Sequence, residues 1–245
     1  MEVVYVYGVS RRFTLCNMSE TLEFCRSAYV GRYNEVRQKV EKDPSLVNKT
    51  DESRRTALHW AASAGQLKIV NFLLDHGSAV DPIDDTEWTP LMIASSVGHT
   101  DVVAFLISRG ADVNSVNSTG QSPLHYAASK NKVEVARMLL ENGSNINVGD
   151  HMGSTPLHRA ASKGSLNVLK LLLTDYSNIL DLNCKDIIGN TPLHLACEEC
   201  RIDIAEMLVE AGASVEVPNK DMMTPLDVSQ PNVKRILEQL ALDKP

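Results

Sequence analysis

The sequence predicts an all-α solenoid of about seven helix-turn-helix repeats, the first and last acting as caps. Two observations predict it. A short phrase returns at a fixed interval, as Thr56-Ala57-Leu58-His59, Thr89-Pro90-Leu91-Met92, Ser122-Pro123-Leu124-His125, Thr155-Pro156-Leu157-His158, Thr191-Pro192-Leu193-His194 and Thr224-Pro225-Leu226-Asp227, with spacings of 33, 33, 33, 36 and 33. Between its returns, apolar residues recur at helical spacing, for example Ile69, Val70, Phe72, Leu73 and Leu74. A unit of two short helices cannot bury its apolar face alone, so such units stack on their neighbours into one continuous core.

A period of 33 with this phrase is the ankyrin signature. Within each unit the Thr or Ser caps the first helix, and the Pro suits the first helical position because its missing N–H has no intrahelical partner there. The Leu of each phrase points into the stack. The small pairs Ala61-Ala62, Ala127-Ala128 and Ala160-Ala161 let neighbouring helices approach closely. Gly65, Gly98 and Gly164 end the first helices, with Asn131 and Cys200 at the corresponding places. Gly77, Gly110, Gly143 and Gly212 end the second helices, whereas Tyr176 replaces that glycine in a unit lengthened by three residues.

Upstream of the first phrase, 22–30 and 33–40 read as the helices of an N-terminal cap. Thr224 to Leu240 reads as a C-terminal cap with a more polar second helix. Residues 1–19 lie outside this register and are expected to be a poorly ordered extension. Residues 20–245 then form a single ankyrin-repeat domain.

A net charge of −7 argues against a generic nucleic-acid binder, whose affinity rests on Lys and Arg neutralising phosphates. The apolar start carries Glu2 where a signal peptide needs bases, and no run approaches the ~20 residues of a membrane span. Five unpaired-looking cysteines suit a reducing compartment, so cytoplasm and nucleus are expected. A monomer with no membrane partner is expected as well. Cys197-x-x-Cys200 has no second pair and reads as two residues of a helical segment. The His of each phrase recurs once per unit and forms no convergent constellation, so it reads as a structural hydrogen-bonding residue between turns. No catalytic residue, metal site or cofactor is expected.

The functional candidates lie on the inner helices and turn tips. The position after each His, or after its substitute, holds Trp60, Ile93, Tyr126, Arg159 and Leu195; the ends of those helices add Lys130, Lys163, Glu198 and Glu199, and the tips add Arg55, Asp85 and Trp88. This face reads basic in the middle repeats and acidic toward the C-terminal end, an order suited to a partner with the opposite arrangement. Tryptophan is enriched at binding hot spots, although either Trp could instead pack against a neighbouring repeat.

Several strings go beyond the generic repeat: Arg55-Thr56-Ala57-Leu58-His59-Trp60-Ala61, Asp85-Thr86-Glu87-Trp88-Thr89-Pro90, Pro123-Leu124-His125-Tyr126-Ala127-Ala128-Ser129-Lys130-Asn131, His158-Arg159-Ala160-Ala161-Ser162-Lys163-Gly164 and Gly189-Asn190-Thr191-Pro192-Leu193-His194-Leu195-Ala196-Cys197-Glu198-Glu199. Over roughly residues 20–240 the chain resembles the gankyrin-type family of proteasome regulatory-particle assembly chaperones. The resemblance implies a non-enzymatic chaperone that grips the C-terminal domain of one AAA ATPase subunit. Arg55 and Lys130 would pair with its acidic residues, and Glu198 and Glu199 would meet basic ones. The alternative is a generic ankyrin adaptor for a signalling or cell-cycle partner. It could act through Leu195-x-Cys197-x-Glu199, a string similar to one that engages pocket proteins.

Overall fold

The structure, a computed structural model, describes residues 3–6, 9–12 and 20–242. The fold class is an all-helical ankyrin-repeat solenoid, and the chain divides into two compact units, Met1–Ala79 and Val80–Pro245. The first holds α1 (Glu20–Val30) and α2 (Tyr33–Lys42), a 3-10 turn at Pro44–Asn48, then α3 (Ala57–Ser63) and α4 (Leu67–Asp75). The second holds α5 (Pro90–Val97) with α6 (Thr100–Ser108), α7 (Pro123–Ser129) with α8 (Val133–Glu141), and α9 (Pro156–Lys163) with α10 (Leu166–Asp175). After these come α11 (Pro192–Glu198) with α12 (Ile202–Ala211), and α13 (Pro225–Val228) with α14 (Pro231–Leu242).

Outside the repeats, β1 (Val3–Val6) and β2 (Val9–Arg12) form an antiparallel pair in the register Val3 to Arg12 and Val6 to Val9. The expectation of a poorly ordered extension otherwise falls on residues outside those described.

First helices of seven or eight residues are too short to persist alone, so packing holds them. Leu58, Leu91, Leu124, Leu157 and Leu193 are buried, as are the paired alanines. Burying one such Leu contributes roughly 2–3 kcal/mol. Leu226, in the terminal repeat, is only half-buried. There α13 lasts a single turn, because Pro231 disfavours helical backbone in the residue before it and Ser229 is already extended.

Gly98 and Gly164 cap their helices at φ 97° and 70°, and Asn131 and Cys200 hold the equivalent places at φ 53°. This corrects the reading of Cys197-x-x-Cys200 as part of one helical segment. Helix α11 ends at Glu198, leaving Cys197 buried inside it and Cys200 exposed in a left-handed turn beyond it.

Two hydrogen-bond devices join successive repeats, and both follow the sequence period. In the first, the His of the phrase accepts at Nδ1 from the backbone N–H of the capping residue, at 3.1 Å for Ser122 and His125 and 3.1 Å for Thr155 and His158. That leaves the proton on Nε2, which donates to a carbonyl of the next turn: His125 to Ser154 at 2.9 Å, His158 to Asn190 at 3.0 Å, His194 to Met223 at 3.0 Å. Burial pushes all three imidazoles down, His125 to about 4.

The second device uses Asn48, Asn114 and Asn147. Each donates its amide to a carbonyl of the next repeat (Gly77, Gly143 and Ile179) and accepts a backbone N–H beside it (Ala79, Asn145 and Asp181). Asp81 stands in the same register. Its Oδ2 accepts from the Asp112 N–H at 2.9 Å, but its Oδ1 is buried with no hydrogen-bond partner.

Candidate protein-binding surface

The turn tips are built by one acidic or amide residue per repeat, at 51, 84, 117, 150, 186 and 219. Its Oδ1 accepts the backbone N–H two and four residues on. Asp150, for instance, takes Met152 at 2.9 Å and Ser154 at 3.0 Å, and Asn117 takes Thr119 and Gln121 at 3.1 and 2.9 Å. In three repeats the remaining atom of the same side chain is tied to the residue nine positions later. Asp51 Oδ2 accepts from Trp60 Nε1 at 3.0 Å, Asn117 Nδ2 donates to the Tyr126 hydroxyl at 2.8 Å, and Asp150 Oδ2 accepts from the Arg159 guanidinium. The chemistry matches in each pair: a carboxylate where the later residue donates, an amide where it accepts.

The sequence-predicted contact residues therefore fall into groups. Trp60 is 8% exposed, its N–H taken by Asp51, its ring edge-on to Tyr29 at 5.8 Å and covered by the Arg55 guanidinium at 5.8 Å. What it presents outward is largely Arg55, half-buried above it. Trp88 and Tyr126, both half-buried, stack at 4.1 Å between ring centroids. Asp85 is exposed beside buried Asp84. Arg159 is held by buried Asp150. Burial pushes that carboxyl up, but the guanidinium outweighs it and the net shift is downward.

Lys130, Lys163, Glu198 and Glu199 are exposed. The two lysines sit at the C-terminal ends of α7 and α9, where a cation complements the helix dipole. The two glutamates end α11, where a negative charge opposes it. Burial, Asp186 and Glu199 raise the Glu198 carboxyl above its usual range, in that order. No described ion pair takes either glutamate.

Of Leu195-x-Cys197-x-Glu199, the Leu is half-buried, the Cys fully buried and the Glu exposed. The three side chains thus do not share an accessible strip. Asp51, Asn117 and Asp150 read from the sequence as turn residues, but that they hold three of the predicted contacts in place did not. Their recurrence with the same period as the phrase is the signal that could have found them.

Among the described residues no group of three or more His, Cys, Asp or Glu could hold a metal ion, and no helix is long and apolar enough to cross a membrane. Stacked helix pairs of this kind, with side chains ordered along turns and inner helices, define a protein-interaction scaffold. A family model for ankyrin repeats in three copies matches residues 24–117, 79–150, 110–186 and 150–221, and the chain belongs to that family.

The chain is 47% identical over 60 residues to human 26S proteasome non-ATPase regulatory subunit 10, covering 24% of this chain and 26% of that protein. With the mouse protein of the same name it is 48% identical over 57 residues, covering 23% and 25%. The match thus spans about a quarter of the length of these relatives. Among solved structures, the human ASB11 ankyrin repeat domain matches with a TM-score of 0.79 and 25% identity, covering 93% of this chain and 99% of that one.

Proposed function

We propose that this protein is a non-enzymatic assembly chaperone that binds, as a monomer, the C-terminal domain of an AAA ATPase subunit of the proteasome regulatory particle, in cytoplasm and nucleus. The identity with 26S proteasome non-ATPase regulatory subunit 10 supports the choice of partner class. The observation that carries the binding reading is the acidic end of α11. Glu198 and Glu199 stand at the negative pole of their helix beside Asp186, an arrangement that costs stability and that a basic partner would repay. Exposed Lys130 and Lys163 supply the opposite sign in the preceding repeats, and Arg55 supplies it in the first unit. Asp85, Trp88, Tyr126 and Arg159 complete the proposed contact set, with Trp60 supporting Arg55 from beneath. Burial of Cys197 weighs against the adaptor reading through Leu195 and Glu199.

Reversing charge tests this. E198K with E199K should abolish capture of an isolated ATPase C-terminal domain while the melting temperature holds or rises, because the helix end is relieved. K130E with K163E should weaken capture as well. Undiminished capture by both double variants at moderate salt would remove the charge-order basis of the reading.

A further inference from the structure

Within the second unit, successive inner helices pack side by side in the order α5, α7, α9, α11. Each closes on an exposed side chain at the same register position, as its last residue or its cap: Val97, Lys130, Lys163 and Glu199. These stand four residues after Ile93, Tyr126, Arg159 and Leu195, so they share one face. Along the stack the row is apolar, basic, basic, acidic. Among the described residues no ion pair takes Lys130, Lys163 or Glu199. Lys132, whose side chain lies across Gly98, and Arg201, which lies across Gly164, add to the positive stretch.

One position earlier the same helices carry Ser96, Ser129, Ser162 and Glu198. The three serines are buried or half-buried, and the Ser96 hydroxyl has no hydrogen-bond partner. Short side chains beside long charged ones leave a shelf on which a further helix can lie close. Packed helices stand roughly 8–10 Å apart, and that is the step between successive members of the row. An α-helix returns a side chain to nearly the same face after seven residues, about 10.5 Å. An extended strand does so every ~6.8 Å and falls out of step by the second repeat. A polyproline segment matches at ~9.3 Å, but where it is covered its backbone groups lose water and gain no partner, whereas a helix bonds its own.

We propose that this row seats a single α-helix of the partner, lying across the inner helices and carrying apolar, acidic, acidic and basic residues seven apart, in either chain direction. Its apolar residue would cover Val97, its acidic residues would meet Lys130 and Lys163, and its basic residue would meet Glu199. About 22 residues, roughly 32 Å of helix, span the four contacts. The long Lys and Glu side chains take up the difference between the two steps. Charge order fixes the register, because a shift of one repeat either way sets like charge against like. The helix deepens the proposed binding of an ATPase domain along these inner helices and rests on it.

The probe is a pair of synthetic helical peptides of Ala and Gln, with Leu, Glu, Glu and Lys placed seven apart in the two possible orders, titrated into the full chain and followed by amide shifts. At least one should bind saturably, with shifts concentrated at 96–98, 129–132, 162–164 and 198–201. The same four residues placed five apart in a helix, or three apart in a proline-rich peptide, should each bind at least about fivefold more weakly. K163E should weaken the heptad peptide by a similar factor at an unchanged melting temperature, and changing the peptide Glu nearest its Lys to Lys should restore binding to that variant. No saturable shift, equal binding of either control, shifts centred elsewhere or no recovery by the charge swap would overturn the helix. Capture of the isolated ATPase C-terminal domain, measured alongside, keeps the two readings apart. Capture without peptide binding removes the helix and leaves the partner class, whereas peptide binding without capture sustains the helix and removes the partner class.

Discussion

The tip at Asp150 and the tip at Asp186 start from the same side chain and end differently. Both use Oδ1 to organise the turn, with backbone N–H groups at 2.9 to 3.0 Å. At Asp150 the second oxygen meets the Arg159 guanidinium, and the carboxyl is held below its usual range. At Asp186 the residue nine positions on is Leu195, and the nearby charge is Glu198, itself pushed up. The same turn geometry can therefore end in an ion pair, as at Asp150, or set one carboxylate beside another, as at Asp186.

The largest expected effect tests whether the middle of the stack carries the stability. L124A or L157A removes a fully buried side chain and should cost roughly 2–5 kcal/mol, whereas L226A, half-buried in the terminal repeat, should cost about 1 kcal/mol in chemical denaturation. Equal costs would erase the distinction between interior and terminal repeats.

Acid provides the next probe. His125 has its folded pKa depressed from the usual 6.5 to about 4, so the unfolded chain binds the proton first. Its contribution is complete above pH 6.5 and is lost as pH falls from there toward 4, by about 3 kcal/mol if the shift is fully expressed. H125Q should flatten that part of the stability–pH curve. An equivalent change at His194, whose imidazole burial also depresses, should act in the same direction.

A smaller effect addresses the two tips directly. D150N keeps the turn but weakens the pair with Arg159, and should lower stability by about 1–2 kcal/mol. D186N keeps the turn and removes a charge facing Glu198, so thermal melting should find it no less stable than the parent. If D186N destabilised as much as D150N, Asp186 would belong to the fold rather than to a binding surface.

The smallest expected effect concerns the amide ladder. D81N would give the unpartnered position a donor, which the repeat register aims at the Gly110 carbonyl as Asn114 is aimed at that of Gly143. It should add about 1 kcal/mol to stability in urea titration. Burial, followed by the charge of Asp112 and offset in part by its backbone N–H, raises the Asp81 carboxyl. The gain should therefore shrink as pH falls and Asp81 itself acquires a proton.

By itself the sequence determined the repeat, its seven units, the buried Leu and Ala positions and the left-handed caps at Gly98, Asn131 and Gly164. Each of these is a local consequence of periodicity or backbone conformation, readable one residue at a time. The His bridges were legible for the same reason, since a polar residue that recurs with a buried phrase needs a recurring partner. Only the tertiary structure decided which exposed-looking residues are free to meet a partner. Trp60, Tyr126 and Arg159 stand out in the sequence as departures from the generic repeat, yet each is held by a tip residue nine positions earlier. Whether such a side chain faces a partner or its own turn depends on the donor or acceptor across the turn and on burial, and both are set by packing that no single repeat contains.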